Sequence, residues 1–353
     1  MREVRLSIVG FGVVGRGVTE VIRRKRAEIK EKFGLDLRVV AIVDLWGAVL
    51  ASSDGKGGNE IDVDKVLDAL QRGKADGLSP RESLETHGIK VEDMQSLEVI
   101  KEVEHDVMVE ATPTNVESDG EPGTSHILEA LKAGRHVVTS NKGPLALHFK
   151  KLMRAAERAD RKIGFEATVG GAMPIISLRE ALAGNEILSI KGILNGTCNY
   201  ILTRMSEENL PFEHALREAQ EIGIAEADPK SDVLGVDTAV KLVILANALL
   251  GLDASYKDVS VTGITEITPE ALNLAKNNGY VIKLIGEVDR DGKLEVAPKL
   301  VPKTHPLNVS GTLNAALLKT DLAGEIVVVG RGAGGIEAAS AIIGDVIRIF
   351  RSS

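Results

Sequence analysis

The sequence predicts an α/β fold in two domains, and three observations support that prediction. The first 168 residues alternate apolar β-rich runs with amphipathic helical stretches, as a mainly parallel sheet with right-handed crossovers requires. This alternation ends after residue 168, where longer helical patterns and a hairpin pattern follow. A length of 353 residues fits two domains, or one large α/β unit with an appended part. We expect an α/β domain over residues 1–168, completed by 311–353, and an α+β domain over 169–310.

The first domain opens with a strand, a glycine turn and a helix in "VRLSIVGFGVVGRGVTEVIRRK". Apolar runs predict further strands at 37–45 and 106–112, and another in "RHVVTSN" after a helix that Gly134 closes. The helix–strand pair recurs in "LMRAAERADRKI" and "GFEAT". The polar, glycine-containing stretches fall at the carboxyl ends of these strands, where open α/β sheets bind their ligands.

The second domain has a different order of strands and helices. "ILSIKGILNGTCNYILTRM" predicts a strand, a turn and a helix, and helices are expected at 212–222 and 235–250. Residues 279–302 alternate apolar and polar side chains around "DRDG", which predicts a hairpin. We expect this domain to bind substrate and to form the contact between subunits. The final stretch, from Glu325, predicts a strand, a glycine turn and a closing helix that packs on the first domain.

Composition limits the partners and the compartment. A net charge of −8 without an overriding basic cluster argues against nucleic acid. The single cysteine, Cys198, excludes an internal disulfide and suits a reducing compartment. The N-terminus enters a strand directly, and the longest apolar run is too short for a bilayer and is broken by Asn247. The expectation is a soluble cytoplasmic protein.

The stretch "GFGVVG" is a G-x-G-x-x-G motif placed between a strand and a helix. Its glycines permit a tight turn and a close approach of backbone to a pyrophosphate, which the amino terminus of the helix attracts. The motif predicts a Rossmann-type domain that binds a dinucleotide. The loop residues expected at the cofactor are Gly10, Phe11, Gly12, Val13, Val14 and Gly15.

Two residues bear on the choice of dinucleotide. Asp44 ends the second predicted strand, where an acid could hold a ribose 2′-hydroxyl and favour NAD. Lys56, in "SDGKGG", could instead neutralise the 2′-phosphate of NADP. The sequence leaves NAD and NADP open.

Asp237 and Lys241 share one face of a helix that is otherwise apolar on nearly every side. They could form an intrahelical salt bridge or belong to a catalytic site. Asp228 and Asp232 precede them as helix caps, unless one of the two binds substrate. Cys198 could be a thiol nucleophile, but without a histidine placed nearby it is expected to be buried and inert.

Four long stretches together resemble homoserine dehydrogenase: "TSNKGPLA", "EATVGGAMPII", "ILNGTCNYIL" and "GIAEADPKSDVLGVDTAVK". The "GRGAGG" and "GDVIRI" near the C-terminus agree. The resemblance implies NAD(P)-dependent interconversion of L-homoserine and L-aspartate 4-semialdehyde, in threonine, methionine and isoleucine biosynthesis. It also implies the monofunctional form, ending without a regulatory domain, and a homodimer or higher oligomer. The alternatives are another amino-acid or semialdehyde dehydrogenase of this architecture and a non-catalytic NAD(P)-binding sensor.

The resemblance also implies roles for individual residues. Lys241 would transfer the proton, with Asp237 and Lys142 beside the reacting group. The substrate would be bound by Glu226, Asp237 and Lys142, and by the turn that contains Asn195 and Thr197. Thr112, Ser140, Lys142 and Gly334 would line the cofactor. A sodium ion would be held by Glu166 with the backbone of Val169, Gly171 and Met173, a glycine-containing loop that suits a hard cation.

Overall fold

A computed structural model describes residues 1–51 and 59–351 and divides the chain into two compact units. The first unit comprises residues 1–168 and 334–353, and the second comprises residues 169–333. The expected return to the first domain at residue 311 is therefore corrected to residue 334. Residues 311–333 remain in the second unit because two strands within them pair into its sheet.

The first unit is built on a six-stranded sheet with the order β3-β2-β1-β4-β5-β6. All neighbouring strands are parallel except β3, which runs antiparallel to β2. The strand order reverses between β1 and β4, so a ligand crevice is expected at the carboxyl ends of these two strands. The strands are β1 Arg2–Val9, β2 Leu35–Asp44, β3 Gly47–Leu50, β4 Val107–Glu110, β5 His136–Thr139 and β6 Ile163–Gly164.

Helices connect these strands. The long first helix ends where Gly34 adopts φ +69°, a left-handed conformation that glycine takes without strain. Helices α2 to α4 lie in a region where the sequence pattern predicts no particular element, and Asp62 and Ser79 cap the first two of them through side-chain hydrogen bonds. The helices are α1 Val13–Phe33, α2 Val63–Ala75, α3 Pro80–Thr86, α4 Ser96–Glu102, α5 Gly123–Lys132 and α6 Lys142–Ala159.

The predicted strand "GFEAT" is shorter than expected. Strand β6 ends at Gly164, and Glu166–Thr168 form a single 3₁₀ turn. The amide and the hydroxyl of Thr168 both donate to the carbonyl of Phe165, which closes this turn. The backbone therefore leaves the sheet just before Glu166.

The second unit contains a six-stranded sheet with the order β12-β11-β7-β9-β10-β8. Its pairs are antiparallel except that of β8 with β10. The predicted hairpin is confirmed as β9 and β10, paired from Tyr280 with Pro302 to Val288 with Leu294. The strands are β7 Ile187–Ile193, β8 Ser260–Val261, β9 Tyr280–Asp289, β10 Leu294–Pro302, β11 Leu313–Thr320 and β12 Glu325–Arg331.

Two helices of the second unit, α8 and α11, pack on this sheet and carry the predicted site residues. Helix α11 is buried along its whole length from Thr238 to Leu249, as its all-round apolar pattern indicates. The helices are α7 Leu178–Ala181, α8 Gly196–Glu208, α9 Phe212–Glu221, α10 Lys230–Val233, α11 Val236–Leu249 and α12 Pro269–Asn277.

The closing helix α13, Gly335–Arg351, returns to the first unit and packs against α1, as the sequence predicts. Glycines allow this contact, because a Cβ atom on Gly17 would collide with the carbonyl of Gly335. Within the described residues, no helix has the length and apolar character needed to cross a membrane.

Candidate active site

The glycine loop lies between the carboxyl end of β1 and the start of α1. Gly10 adopts φ +91°, and a Cβ atom on it would lie 2.7 Å from the backbone of Ala111. A Cβ atom on Gly15 would collide with the carbonyl oxygen of Gly10. Side chains are therefore excluded at both positions, and bare backbone reaches the crevice, as a pyrophosphate requires.

The amino terminus of α1 fits the same ligand. Gly12 is the residue before the helix, and among the described residues no side chain caps it. The amide groups of Val13 and Val14, in the first turn, therefore keep their donor capacity for an anion. The residues present thus suit the pyrophosphate of a dinucleotide.

Asp44 ends β2 and is bonded to the glycine loop. Its Oδ2 atom accepts a hydrogen bond from the amide of Phe11 at 2.6 Å, and its Oδ1 atom accepts one from the amide of Leu45 at 2.7 Å. The carboxylate is half-buried and therefore also shapes the loop, besides being available to a ribose hydroxyl. Lys56, the residue predicted to favour NADP, lies outside the described residues.

The other predicted cofactor residues of the first unit lie after β4 and β5. The amide of Ser140 donates to the carbonyl of Glu110 at 3.1 Å. Asn141 joins the two loops, because its Nδ2 atom donates to the Thr112 hydroxyl at 3.2 Å. Lys142 is the first residue of α6, and its amide donates to Thr114 Oγ1 at 3.2 Å. The structure thus brings Thr112, Ser140 and Lys142 to one edge of the sheet.

Gly334 immediately precedes α13 and adopts φ +129°. This conformation is rarely open to other residues, so the turn before the helix depends on glycine. The next residue, Gly335, lies against Val13: a Cβ atom on Gly335 would be 2.8 Å from the Val13 carbonyl. The structure therefore places Gly334 beside the start of α1, in the same unit as the glycine loop.

Lys241 and Asp237 form an ion pair at the start of α11 in the second unit. The Nζ atom of Lys241 lies 2.7 Å from Asp237 Oδ2 and donates to the carbonyl oxygen of Leu194 at 2.6 Å. Lys241 is only 7% exposed. These two contacts use two of its three donors, and among the described residues no third partner takes the remaining one.

Asn195 connects this pair to a second acid. Its Nδ2 atom donates to Asp237 Oδ2 at 3.0 Å and to Asp232 Oδ1 at 2.6 Å, while its Oδ1 atom caps α8 by accepting the amide of Cys198. Burial raises the pKa of Asp232, and the nearby Asp237 carboxylate raises it further. Asp232 is therefore part of the cluster, which sequence reasoning left undecided because its position also suits a helix cap.

Cys198 is fully buried behind these acids. Its thiol donates to the backbone carbonyl of Asp232 at 3.1 Å. Burial raises the pKa of the Cys198 thiol well above its ordinary value, and the Asp232 and Asp237 carboxylates add to the effect. The side chain behaves as the buried thiol that the sequence predicts.

Glu226 and Thr197 are linked through one loop. The Thr197 hydroxyl donates to the carbonyl of Ile224 at 3.2 Å, so the segment before Glu226 is fixed to the first turn of α8. The Glu226 side chain is exposed, and no hydrogen bond or ion pair connects its carboxylate to another described residue. Its carboxylate is consequently available to a ligand.

The four residues predicted to hold a cation lie on both sides of the unit boundary. Glu166, in the first unit, is buried, and its Oε2 atom lies 3.3 Å from Arg348 Nη2. Val169, Gly171 and Met173 belong to the second unit. Gly171 adopts φ +57°, which turns the backbone sharply. Within the described residues, no group of three or more acidic, histidine or cysteine side chains suits a metal, so carbonyl oxygens would have to supply the ligands.

Two family models match the chain on either side of the same boundary. The NAD binding domain of homoserine dehydrogenase matches residues 10–166, and the homoserine dehydrogenase model matches residues 174–347. The chain belongs to the homoserine dehydrogenase family. The protein is therefore an NAD(P)-dependent oxidoreductase that interconverts L-homoserine and L-aspartate 4-semialdehyde, as the resemblance implies. Membership of this family rules out both alternatives, another amino-acid or semialdehyde dehydrogenase and a non-catalytic NAD(P)-binding sensor.

Individual members of the homoserine dehydrogenase family are similar to this chain over nearly its whole length. An enzyme of Methanocaldococcus jannaschii is 52% identical over 350 residues, which cover 99% of each chain. An NAD(+)-dependent homoserine dehydrogenase of Pseudomonas canavaninivorans is 37% identical, with 100% of this chain and 98% of that one covered. A hyperthermophilic archaeal homoserine dehydrogenase solved in complex with NADPH has a TM-score of 0.83 at 30% identity, with 100% and 99% covered.

Proposed function

We propose that Lys241 transfers the proton of the substrate hydroxyl while Asp237 holds the ammonium group of Lys241 in place. The observation that carries this proposal is the Lys241 ammonium itself, which is buried, paired at 2.7 Å and left with one donor unused by the described residues. That donor suits the hydroxyl oxygen of homoserine or the carbonyl oxygen of the semialdehyde. General acid–base catalysis of this kind contributes about 10²–10⁴-fold to the rate. When bound, the nicotinamide accepts or returns the hydride.

The acids around Lys241 would recognise the ammonium end of the substrate. Glu226 offers an exposed carboxylate, and Asp232 and Asp237 are held in position by Asn195. Asn195 and Thr197 would contribute the polar turn at the start of α8. Lys142, from the first unit, would bind the substrate beside the nicotinamide.

The dinucleotide would lie along the glycine loop, Gly10 to Gly15, with Thr112, Ser140, Lys142 and Gly334 around its nicotinamide half. We expect NAD to be preferred, because the Asp44 carboxylate would repel a 2′-phosphate, unless Lys56 offsets it. The NAD(+)-dependent relative supports this expectation, whereas another relative was solved in complex with NADPH.

A sodium ion would be bound by Glu166 and the carbonyl groups of Val169, Gly171 and Met173. The sharp turn at Gly171 supports this proposal, since it allows neighbouring carbonyls to point inward. We expect the ion to affect stability or activity in titrations of sodium against a potassium background.

The protein is proposed to act as a cytoplasmic homodimer. The edge strand β12 supports the dimer, because it leaves Val329 46% exposed next to Val327, which packs on the apolar cluster of the sheet. Light scattering of the purified chain tests this directly. A monomer at micromolar concentration would contradict it.

The decisive experiment compares wild type with Lys241→Ala. NADH and NADPH formation are followed separately with L-homoserine, with and without sodium or potassium. We expect the variant to bind NAD(P) as wild type does and to lose most of its turnover. Undiminished turnover in a folded variant would reject the role of Lys241.

A further inference from the structure

Glu110, at the carboxyl end of β4, is a buried acid with no part in the reaction described above. Its side chain has 0% exposure, and the only ion-pair partner that the described residues give it is His126, whose Nδ1 atom lies 3.6 Å away and forms no hydrogen bond. A carboxyl group buried without an Arg or Lys partner is costly unless hydrogen bonds compensate it. The bonds it makes therefore indicate what it does.

Glu110 binds the loops that follow two neighbouring strands. Its Oε1 atom accepts the amide of Thr112 at 3.2 Å and also the hydroxyl of Thr112. Its Oε2 atom accepts the hydroxyl of Thr139 at 3.0 Å, and its backbone carbonyl accepts the amide of Ser140. One residue thus fixes the end of β5 against the loop after β4.

The bonds continue to Lys142. The Thr139 hydroxyl accepts the amide of Asn141 at 2.9 Å. Asn141 in turn donates to Thr112 Oγ1 and accepts the amide of Gly143, which caps α6 at Lys142. Every hydrogen bond in this series joins buried or half-buried atoms, so the geometry of the two loops is rigid.

We propose that Glu110 is a positioning residue for hydride transfer. By holding both loops it fixes Thr112, Ser140 and Lys142, the residues assigned to the nicotinamide and the substrate, although it touches neither itself. This inference rests on those assigned roles. A displacement of about 1 Å at a reacting group lowers rates by as much as 10²-fold, so loss of the Glu110 bonds should be visible in turnover.

The test uses Glu110→Gln and Thr139→Val, with Thr139→Ser as the matched control that retains the hydroxyl. We expect kcat to fall by about 10- to 100-fold in the first two variants and to stay near wild type in Thr139→Ser. The primary deuterium isotope effect on kcat should rise in the impaired variants, because hydride transfer becomes slower than product release.

A second measurement separates positioning from misfolding. ADP-ribose and its 2′-phosphate lack the nicotinamide and report on the glycine loop alone. Their affinities should stay close to those of wild type, while the affinity for NAD(P) falls. If Glu110→Gln does not fold, Thr139→Val carries the test, because it removes one Glu110 bond and no charge.

The inference is overturned if Thr139→Val and Glu110→Gln keep wild-type kcat, or if ADP-ribose affinity falls as much as that of NAD(P). Lys142→Ala tests separately whether the residues assigned to the nicotinamide have that role. If Lys142→Ala is impaired while Glu110→Gln is not, only the role of Glu110 fails. If Lys142→Ala also behaves as wild type, the nicotinamide-side assignment fails with it.

Discussion

Helix α8 touches two buried polar clusters one turn apart, and each contains a lysine held in a different way. At the start of the helix, Asn195 shares the carboxylate of Asp237 with Lys241. One turn later, Asn199 Oδ1 accepts a hydrogen bond from Lys283 Nζ at 2.8 Å. Lys283 has no carboxylate within ion-pair distance among the described residues, and burial lowers its pKa to about 8.

The difference between the two lysines lies in their remaining donor capacity. Lys283 donates to Asn199, to the Thr203 hydroxyl and to the carbonyl of Val309, so all three of its donors are engaged by neutral acceptors. Lys241 is compensated by Asp237 and retains one donor that no described residue occupies. Burial is therefore common to both lysines, whereas of the two only Lys241 combines a charge partner with an open donor, which supports the role proposed for it.

The largest expected effect is a difference in kcat between variants of the two lysines. Lys241→Met should lower kcat by about 10²–10⁴-fold, because the proposed proton donor is lost. The matched variant Lys283→Met removes an equally buried ammonium and should retain kcat within about threefold, since it lies outside the acid cluster. Steady-state kinetics with L-homoserine, normalised to folded protein, provides the measurement. Equal losses in the two variants would contradict the distinction.

A second prediction concerns stability against pH. The folded-state pKa of Lys283 lies below its ordinary value of 10.5, so between about pH 8 and 10.5 the unfolded chain binds more protons than the folded one. The free energy of unfolding should therefore rise with pH across this window, by about 3 kcal/mol in total. Below pH 8 both states are protonated and this gain is absent.

Urea unfolding of wild type and Lys283→Met at several pH values measures this effect. The difference between them should shift in favour of wild type by about 1.4 kcal/mol per pH unit above pH 8. The same comparison with Lys257→Met, which removes an exposed lysine, should stay flat. A flat difference for Lys283→Met as well would show that its ammonium is not disfavoured by burial.

The comparison extends to Asn195, which caps α8, and Asn199, which lies within it, because each contacts one of the two clusters. The expected effect is smaller. Asn195→Ala removes a helix cap and the amide shared by two acids, so it should cost about 1–2 kcal/mol of stability. Its kcat/KM should fall by about 10- to 100-fold, since hydrogen bonds to charged groups are lost. Asn199→Ala should cost about 1–3 kcal/mol, because the buried ammonium of Lys283 loses one of its three acceptors, with little change in turnover. Similar kinetic losses in both would mean that the two clusters are not functionally distinct.

Local patterns predicted those parts of the molecule that depend on neighbouring residues in the chain. The glycine loop, the buried helix α11 and the hairpin β9–β10 follow from motif and periodicity. The pairing of β11 with β7 does not, because it joins Ala315 to Ile193 across more than a hundred residues, and so local patterns place residues 311–333 in the wrong unit. Local patterns likewise do not indicate the roles of Asp232 and Glu110, since burial and shared hydrogen bonds arise only in the folded chain.

The smallest expected effect is at Cys198, which lies between the two lysine clusters on α8. A thioester mechanism would require an accessible thiolate, but this thiol is fully buried, donates to a carbonyl and has a raised pKa. Cys198→Ala should therefore keep turnover within about threefold and cost on the order of 1 kcal/mol of stability. A thiol reagent should label the native enzyme slowly and the urea-unfolded enzyme fully. Rapid labelling that abolishes activity, and that substrate prevents, would instead place a reactive sulfur in the site and favour the thioester mechanism.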